Sequence, residues 1–296
     1  MTPTTPLTSR IAPALLLAAT MGVGGVAAAQ PAAAVSGVVT PQVTSVINST
    51  AQKAVRVDCP TGTRALGGSA VVGGSTRIGI NSLFPDQTGY TVLAREQNGG
   101  TGNSWYVVVT ALCAPASALP GLEYVRTDSP YDSTASHRAI AACSPGKKLV
   151  GVGGLIDSNG SGQDALALTA VRPTADLTSV TAAANETPIG YAGSWRATAV
   201  AVCANPIPGL AWADTNTAID STSTKRAPAA CPTGTRVLSG GFDIGSAAGN
   251  AELTTAFLDP DLTGDPTHQG YEAQAAESGT GFTGSWRTAS YAICAA

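Results

Sequence analysis

Gly193-Ser194-Trp195-Arg196-Ala197-Thr198-Ala199-Val200-Ala201-Val202-Cys203-Ala204 alternates with a period of two. An extended chain puts Trp195, Ala197, Ala199, Ala201 and Cys203 on one face. Trp therefore shares a face with Cys, and the small residues between them leave room for packing. The opposite face begins polar (Arg196, Thr198) and ends apolar (Val200, Val202). The stretch predicts a β-strand with one side in the core.

The same stretch occurs twice more, from Asn103-Ser104-Trp105 to Cys113-Ala114 and from Gly284-Ser285-Trp286 to Cys294-Ala295, always with Trp and Cys eight residues apart. Working backwards, each copy opens on a matching turn: Cys59-Pro60-Thr61-Gly62-Thr63-Arg64, Cys143-Ser144-Pro145-Gly146-Lys147-Lys148 and Cys231-Pro232-Thr233-Gly234-Thr235-Arg236. The lead-ins repeat too. Pro120-Gly121-Leu122-Glu123-Tyr124, Asp132-Ser133-Thr134 and His137-Arg138 match Pro208-Gly209-Leu210-Ala211-Trp212, Asp220-Ser221-Thr222 and Lys225-Arg226, and Asn48-Ser49-Thr50 with Lys53 echoes them. The chain is thus three tandem copies of a unit of about 80 to 90 residues, spanning 30–114, 115–204 and 205–296.

In the second copy, Arg138–Cys143, Lys148–Ile156, Ala165–Val171 and Ser179–Asn185 also read as strands, separated by Gly-rich turns. No unit shows a sustained apolar period of 3.6. The expected fold is all-β: three disulfide-stapled, sandwich- or barrel-like repeats in contact, joined by short Pro-containing linkers. One pseudo-threefold, β-prism-like body is the alternative.

Residues 1–29 read as a cleavable signal peptide, with Arg10, an apolar run from Ile11 and the small-residue exit Ala27-Ala28-Ala29. The apolar run is too short for a bilayer of about 30 Å. A secreted, extracellular chain with six Cys implies disulfides, and six allow about fifteen connectivities. The repeat selects Cys59–Cys113, Cys143–Cys203 and Cys231–Cys294, each closing about 55 to 65 residues. Tetrahedral zinc would need tight CxxC spacing and His partners, and neither is present.

The formal net charge is −3 and only 12% of residues are charged. Such a surface lacks the basic patches that nucleic acid or anionic lipid requires. The chain has two His, no Gly-x-Ser-x-Gly elbow and no P-loop. It is expected to be non-catalytic, with no cofactor and no metal site. His137 stands where Lys53 and Lys225 stand, and reads as a surface replacement for Lys. His268 reads as a loop residue. Asp259-Pro260-Asp261-Leu262-Thr263-Gly264-Asp265 has the alternating Asp of a calcium loop without its closing Glu, so acidic turn residues are the expectation.

One constellation recurs. Glu96, Glu186 and Glu277 each stand nine residues before a Trp. Structurally, each would pair with Arg64, Lys148 or Arg236 of its own unit, or accept hydrogen bonds from a turn. Functionally, the three Glu with Tyr90 and Tyr271 would line sugar sites, although the second unit has Val180 in place of Tyr. Tyr124 and Trp212, outside the Cys loops, are the exposed-aromatic candidates.

At these residues the chain resembles a repeat common in exported proteins of high-GC Gram-positive bacteria, with the frame Cys-Pro-x-Gly-x-Arg/Lys-x-Leu-Gly, Gly-Ser-Trp and Ala-x-Cys-Ala. Ser144-Pro145 departs from that frame. The resemblance implies export and repeat architecture, and no activity. The expected role is a multivalent binding module, lectin-like toward a surface glycan. The alternative is an adaptor or scaffold subunit in a secreted protein complex, with residues 30–50 as an arm that adds a strand to the partner.

Overall fold

A computed structural model describes residues 1, 35–75, 77–97, 100–159, 163–247, 249–260, 262, 269–278 and 281–296. The proposed signal peptide, apart from Met1, lies outside the described residues, as does His268.

Each repeat supplies six strands. The first gives β1 (Gln42–Thr44), β2 (Gln52–Asp58), β3 (Thr63–Gly73), β4 (Ile78–Pro85), β5 (Gly89–Glu96) and β6 (Tyr106–Pro115). The second gives β7 (Glu123–Asp128), β8 (Ser136–Ala142), β9 (Lys148–Ser158), β10 (Leu166–Pro173), β11 (Ser179–Glu186) and β12 (Trp195–Ala204). The third gives β13 (Ala211–Asn216), β14 (Thr224–Ala230), β15 (Arg236–Gly245), β16 (Ala251–Asp259), β17 (Gly270–Glu277) and β18 (Arg287–Ala295). The fold is all-β, and no helix among the described residues is long and apolar enough to cross a membrane.

The repeats share their sheets. The first sheet runs β1-β6-β3-β16-β17-β14, the second β7-β12-β9-β4-β5-β2 and the third β13-β18-β15-β10-β11-β8. Each is antiparallel, with three strands from one repeat and three from another. The seams are short: Ala256 pairs with Ala70, Leu83 with Gly154, and Val171 with Phe242. Of the two assemblies considered, shared sheets match the single pseudo-threefold body. The lead-ins that follow the Pro-containing linkers supply strands β7 and β13 at the sheet edges.

Trp195, Ala197, Ala199, Ala201 and Cys203 of β12 are all fully buried in the main core, and Thr198, Val200 and Val202 on the opposite face are buried too. The disulfides join Cys59 to Cys113, Cys143 to Cys203 and Cys231 to Cys294, with Cα separations of 5.7, 5.7 and 5.8 Å. A β-bulge at Leu66, Val150 and Leu238 adds one residue to β3, β9 and β15. The bulge turns those side chains out of the main core. They form a second apolar cluster with Leu119 and Ile207, against which Val35 packs.

Val35 marks a third lead-in that the sequence hides. Val39 bridges Cys113 as Glu123 pairs with Cys203 and Ala211 with Cys294. Gly37, Gly121 and Gly209 therefore correspond, and all have positive φ, 76°, 69° and 66°, a conformation natural to Gly. The same register aligns Thr40 with Tyr124 and Trp212. Residues 39–48 thus lie along β6 and the residue before it, and the Val35 N–H bonds the Ala296 carbonyl, so this segment packs on its own chain where the sequence suggested an arm for a partner.

Candidate functional site

Each closing Trp is fully buried beneath a basic side chain. Lys53 Nζ lies 4.7 Å from the Trp105 ring centroid and Lys225 Nζ 5.1 Å from that of Trp286. His137 meets Trp195 edge-on, with centroids 4.3 Å apart. The first residue of the repeated Asp/Asn-Ser-Thr turn faces each base. Asn48 Oδ1 accepts from Lys53, Asp220 Oδ1 accepts from Lys225 at 2.5 Å, and Asp132 Oδ1 lies 3.3 Å from His137 Nε2. The alignment of His137 with Lys was sound, but its surface placement is corrected. It is 4% exposed, and Lys53 and Lys225 are buried like it, because their stems cover the Trp rings.

Ser129 Oγ lies 3.1 Å from His137 Nδ1, so Ser129, His137 and Asp132 stand in a row that sequence reading missed. The row has the residue types of a nucleophilic triad without its disposition. Ser129 is the buried member and Asp132 the half-exposed one. Ser129 Oγ accepts the Ala197 N–H at 3.1 Å. Ser45 and Thr217 accept Val107 and Thr288 N–H groups in the same way, without a His. The hydroxyl closes a strand junction in every repeat.

Two of the recurrent glutamates, Glu186 and Glu277, hold the loops that lead to Trp. Glu186 Oε2 accepts the Tyr191 N–H at 3.2 Å. Glu277 Oε2 accepts the Phe282 N–H at 3.0 Å, and its Oε1 accepts Trp286 Nε1–H at 3.2 Å. Glu96 is buried at the same register. The basic residues look elsewhere: Arg64 donates to the Thr63 carbonyl and Lys148 to that of Asp176. Of the two structural alternatives, Glu186 and Glu277 show the turn hydrogen bonds. Tyr90 and Tyr271 are 1% and 0% exposed, so a surface sugar platform built on them is corrected to a core role. Of the acidic loop, Asp261 and Asp265 lie outside the described residues. No group of three or more His, Cys, Asp or Glu among the described residues could hold a metal ion.

Tyr124 and Trp212 lie on outer sheet faces, both half-buried. Tyr124 is tied down, its hydroxyl donating to the Ala65 carbonyl at 2.8 Å. Trp212 stacks on Tyr291, centroids 6.1 Å apart with planes at 26°. The pair walls a groove of about 480 Å³ across the third sheet, continued by Arg138, Ile140, Arg172, Thr181 and Asp214. Beside it Asp243 Oδ2 lies between Arg172 and Arg287, at 3.6 and 3.5 Å. Burial, with the Asp243 charge behind it, raises the Tyr291 phenol above its usual range and keeps it a neutral donor. The groove offers an aromatic wall and convergent polar groups, the chemistry of a binding cleft. Neither a protein-family model nor a curated protein matches the chain.

Proposed function

We propose that the chain is a secreted, non-catalytic binding protein, lectin-like toward a surface glycan, with the Trp212–Tyr291 groove as its principal site. The observation that carries this reading is the stacked aromatic pair beside Arg138, Arg172, Asp214 and Thr181. A sugar ring presents apolar C–H faces to an aromatic wall and hydroxyls to charged groups. The apolar N-terminus and the three disulfides support export. The repeated scaffold supports multivalent use, in which several weak contacts add avidity. A glycan array probed with the mature protein should score positive. Trp212→Ala should abolish the signal, while Tyr124→Ala should change it less because that hydroxyl is already engaged. A signal equal in the wild type and Trp212→Ala would remove the groove from the reading.

The adaptor reading keeps one specific support. Ile47, Tyr131 and Ile219 occupy equivalent positions before the repeated turns and are 64%, 40% and 65% exposed. Stoichiometric capture of a protein from the culture supernatant, lost when these three become Ser, would favour an adaptor over a lectin.

A further inference from the structure

The register that aligns Thr40 with Tyr124 and Trp212 also aligns Thr110 with Val200 and Tyr291, each three residues before the second Cys of its repeat. The first sheet therefore carries Thr40 and Thr110 where the third sheet carries the stacked Trp212 and Tyr291. A pocket of about 360 Å³ opens there. Its walls are Val38, Leu238, Phe257, Leu258 and Pro260, with Thr40 and Thr110 at the vacated aromatic positions. Phe257 matches Phe84 and Arg172 by register. Arg236 lines the pocket and is exposed. Its counterpart Arg64 adjoins Ala65, whose carbonyl accepts the Tyr124 hydroxyl at 2.8 Å. The basic residue of the repeat thus stands by the polar end of the ring on the filled face.

We propose that this pocket binds a small molecule bearing one aromatic ring and a carboxylate. The ring takes the place that Tyr124 and Trp212 fill on the sister faces, and the carboxylate meets Arg236. A cavity of this size with apolar walls and one cationic group suits such a ligand. The site is separate from the Trp212 groove and stands or falls independently of the glycan reading.

The test is a titration of the mature protein with 4-hydroxyphenylacetate, followed by backbone-amide NMR, with p-cresol as the uncharged comparison. The acid should shift the amides of Thr40, Thr110, Leu238 and Ala295, and bind more tightly than p-cresol. Thr40→Tyr, which refills the pocket from within, should weaken binding at least ten-fold and leave amides on the other two sheets in place. Thr40→Ser, which keeps the space open, should bind as wild type does. Arg236→Gln should erase the preference for the acid over p-cresol. Unshifted pocket amides at millimolar acid would overturn the proposal. So would a folded Thr40→Tyr protein that binds like wild type, or an Arg236→Gln protein that keeps the preference.

Discussion

The ring of Tyr90 lies directly on Gly68: a Cβ built on that glycine would stand 2.4 Å from Tyr90 Cδ1. Tyr271 lies on Gly240 in the same way, with 2.0 Å to its Cγ. In the second repeat the matching residues are Val180 and Val152, both in the main core. A large ring over no side chain has been exchanged for two medium side chains of similar total volume. Volume-conserving exchanges are the kind cores tolerate. This accounts for Val180, which on the sugar reading was an exception. A Cβ on Gly68 would also stand 2.3 Å from the Thr110 carbonyl oxygen, so Gly68→Ala should destabilise by about 3 kcal/mol or more through overpacking. Val180→Tyr should cost about 1–3 kcal/mol in the same way. In combination with Val152→Gly much of that loss should return, giving a coupling of about 1 kcal/mol or more in a urea-unfolding double-mutant cycle. Additive effects would show that the two valines do not share one space.

The three bulged strands meet closely enough to make another glycine decisive. A Cβ on Gly151 would lie 1.9 Å from the Leu66 carbonyl oxygen, which belongs to a different repeat and a different sheet. Backbone has no rotamer by which to retreat. Gly151→Ala should therefore cost about 3 kcal/mol or more, at the upper end for overpacking. Its neighbour Gly146 has positive φ but open space around the Cβ position. Gly146→Ala should cost about 1 kcal/mol, from backbone strain alone. Thermal unfolding of the two variants ranks them directly, and the reverse order would contradict the packing described.

What the sequence shows of this fold is what lies within one repeat. The alternation in Trp195–Cys203 records which face meets the main core, and the repeat records which thiols pair, so both are legible. Pairing between repeats leaves no such mark. Nothing in the period of β3 says that Ala70 pairs with Ala256 rather than with a strand of its own repeat, since either neighbour buries the same face. His137, aligned with Lys53 and Lys225, reads as a surface residue because charged side chains usually are exposed. The Trp beneath each and the Asn or Asp beside it reverse that rule. Thr40 escaped alignment because the first lead-in replaces Pro-Gly-Leu by Ser36-Gly37-Val38 and has no aromatic. Only strand register identifies it.

Charge pairs set the pH dependence of stability, and two signs are present. The Arg56 guanidinium, at 2.7 Å, holds the Asp86 carboxyl well below its usual value of 3.8, and Lys225 does the same to Asp220. For a depressed carboxylate, the stabilisation is present above the unfolded pKa and is lost as pH falls toward the folded one. Unfolding temperature should therefore drop on acidification below pH 3.8, and Asp86→Asn or Asp220→Asn should make that acid limb shallower. Burial pushes Glu252 the other way, well above 4.5, beside an Arg95 that burial brings down to about 10. The neutral Glu252 is favoured, so its contribution is lost as pH rises through the folded pKa. Glu252→Gln should match wild type in acid and exceed it at higher pH. A constant offset between the two curves would mean that Glu252 does not titrate with folding.

Each disulfide stays within one repeat and yet crosses between two sheets. Cys59 follows β2 of the second sheet and bonds Cys113 on β6 of the first; Cys143 and Cys203 join third to second, and Cys231 and Cys294 join first to third. The three bonds close a ring of sheets, each fastening an edge strand at a corner. Replacing Cys143 and Cys203 by Ser should cost about 2–5 kcal/mol. The loss should be local in the native state, because β8 is an edge strand held on one side by β11 alone. Native-state hydrogen exchange should then show β8 losing protection first, while β12, paired with β7 and β9 and buried along its length, keeps it. If β7–β12 instead opened together while the other two repeats stayed closed, the second repeat would be behaving as an independent domain. The shared sheets described above would then not be the arrangement in solution.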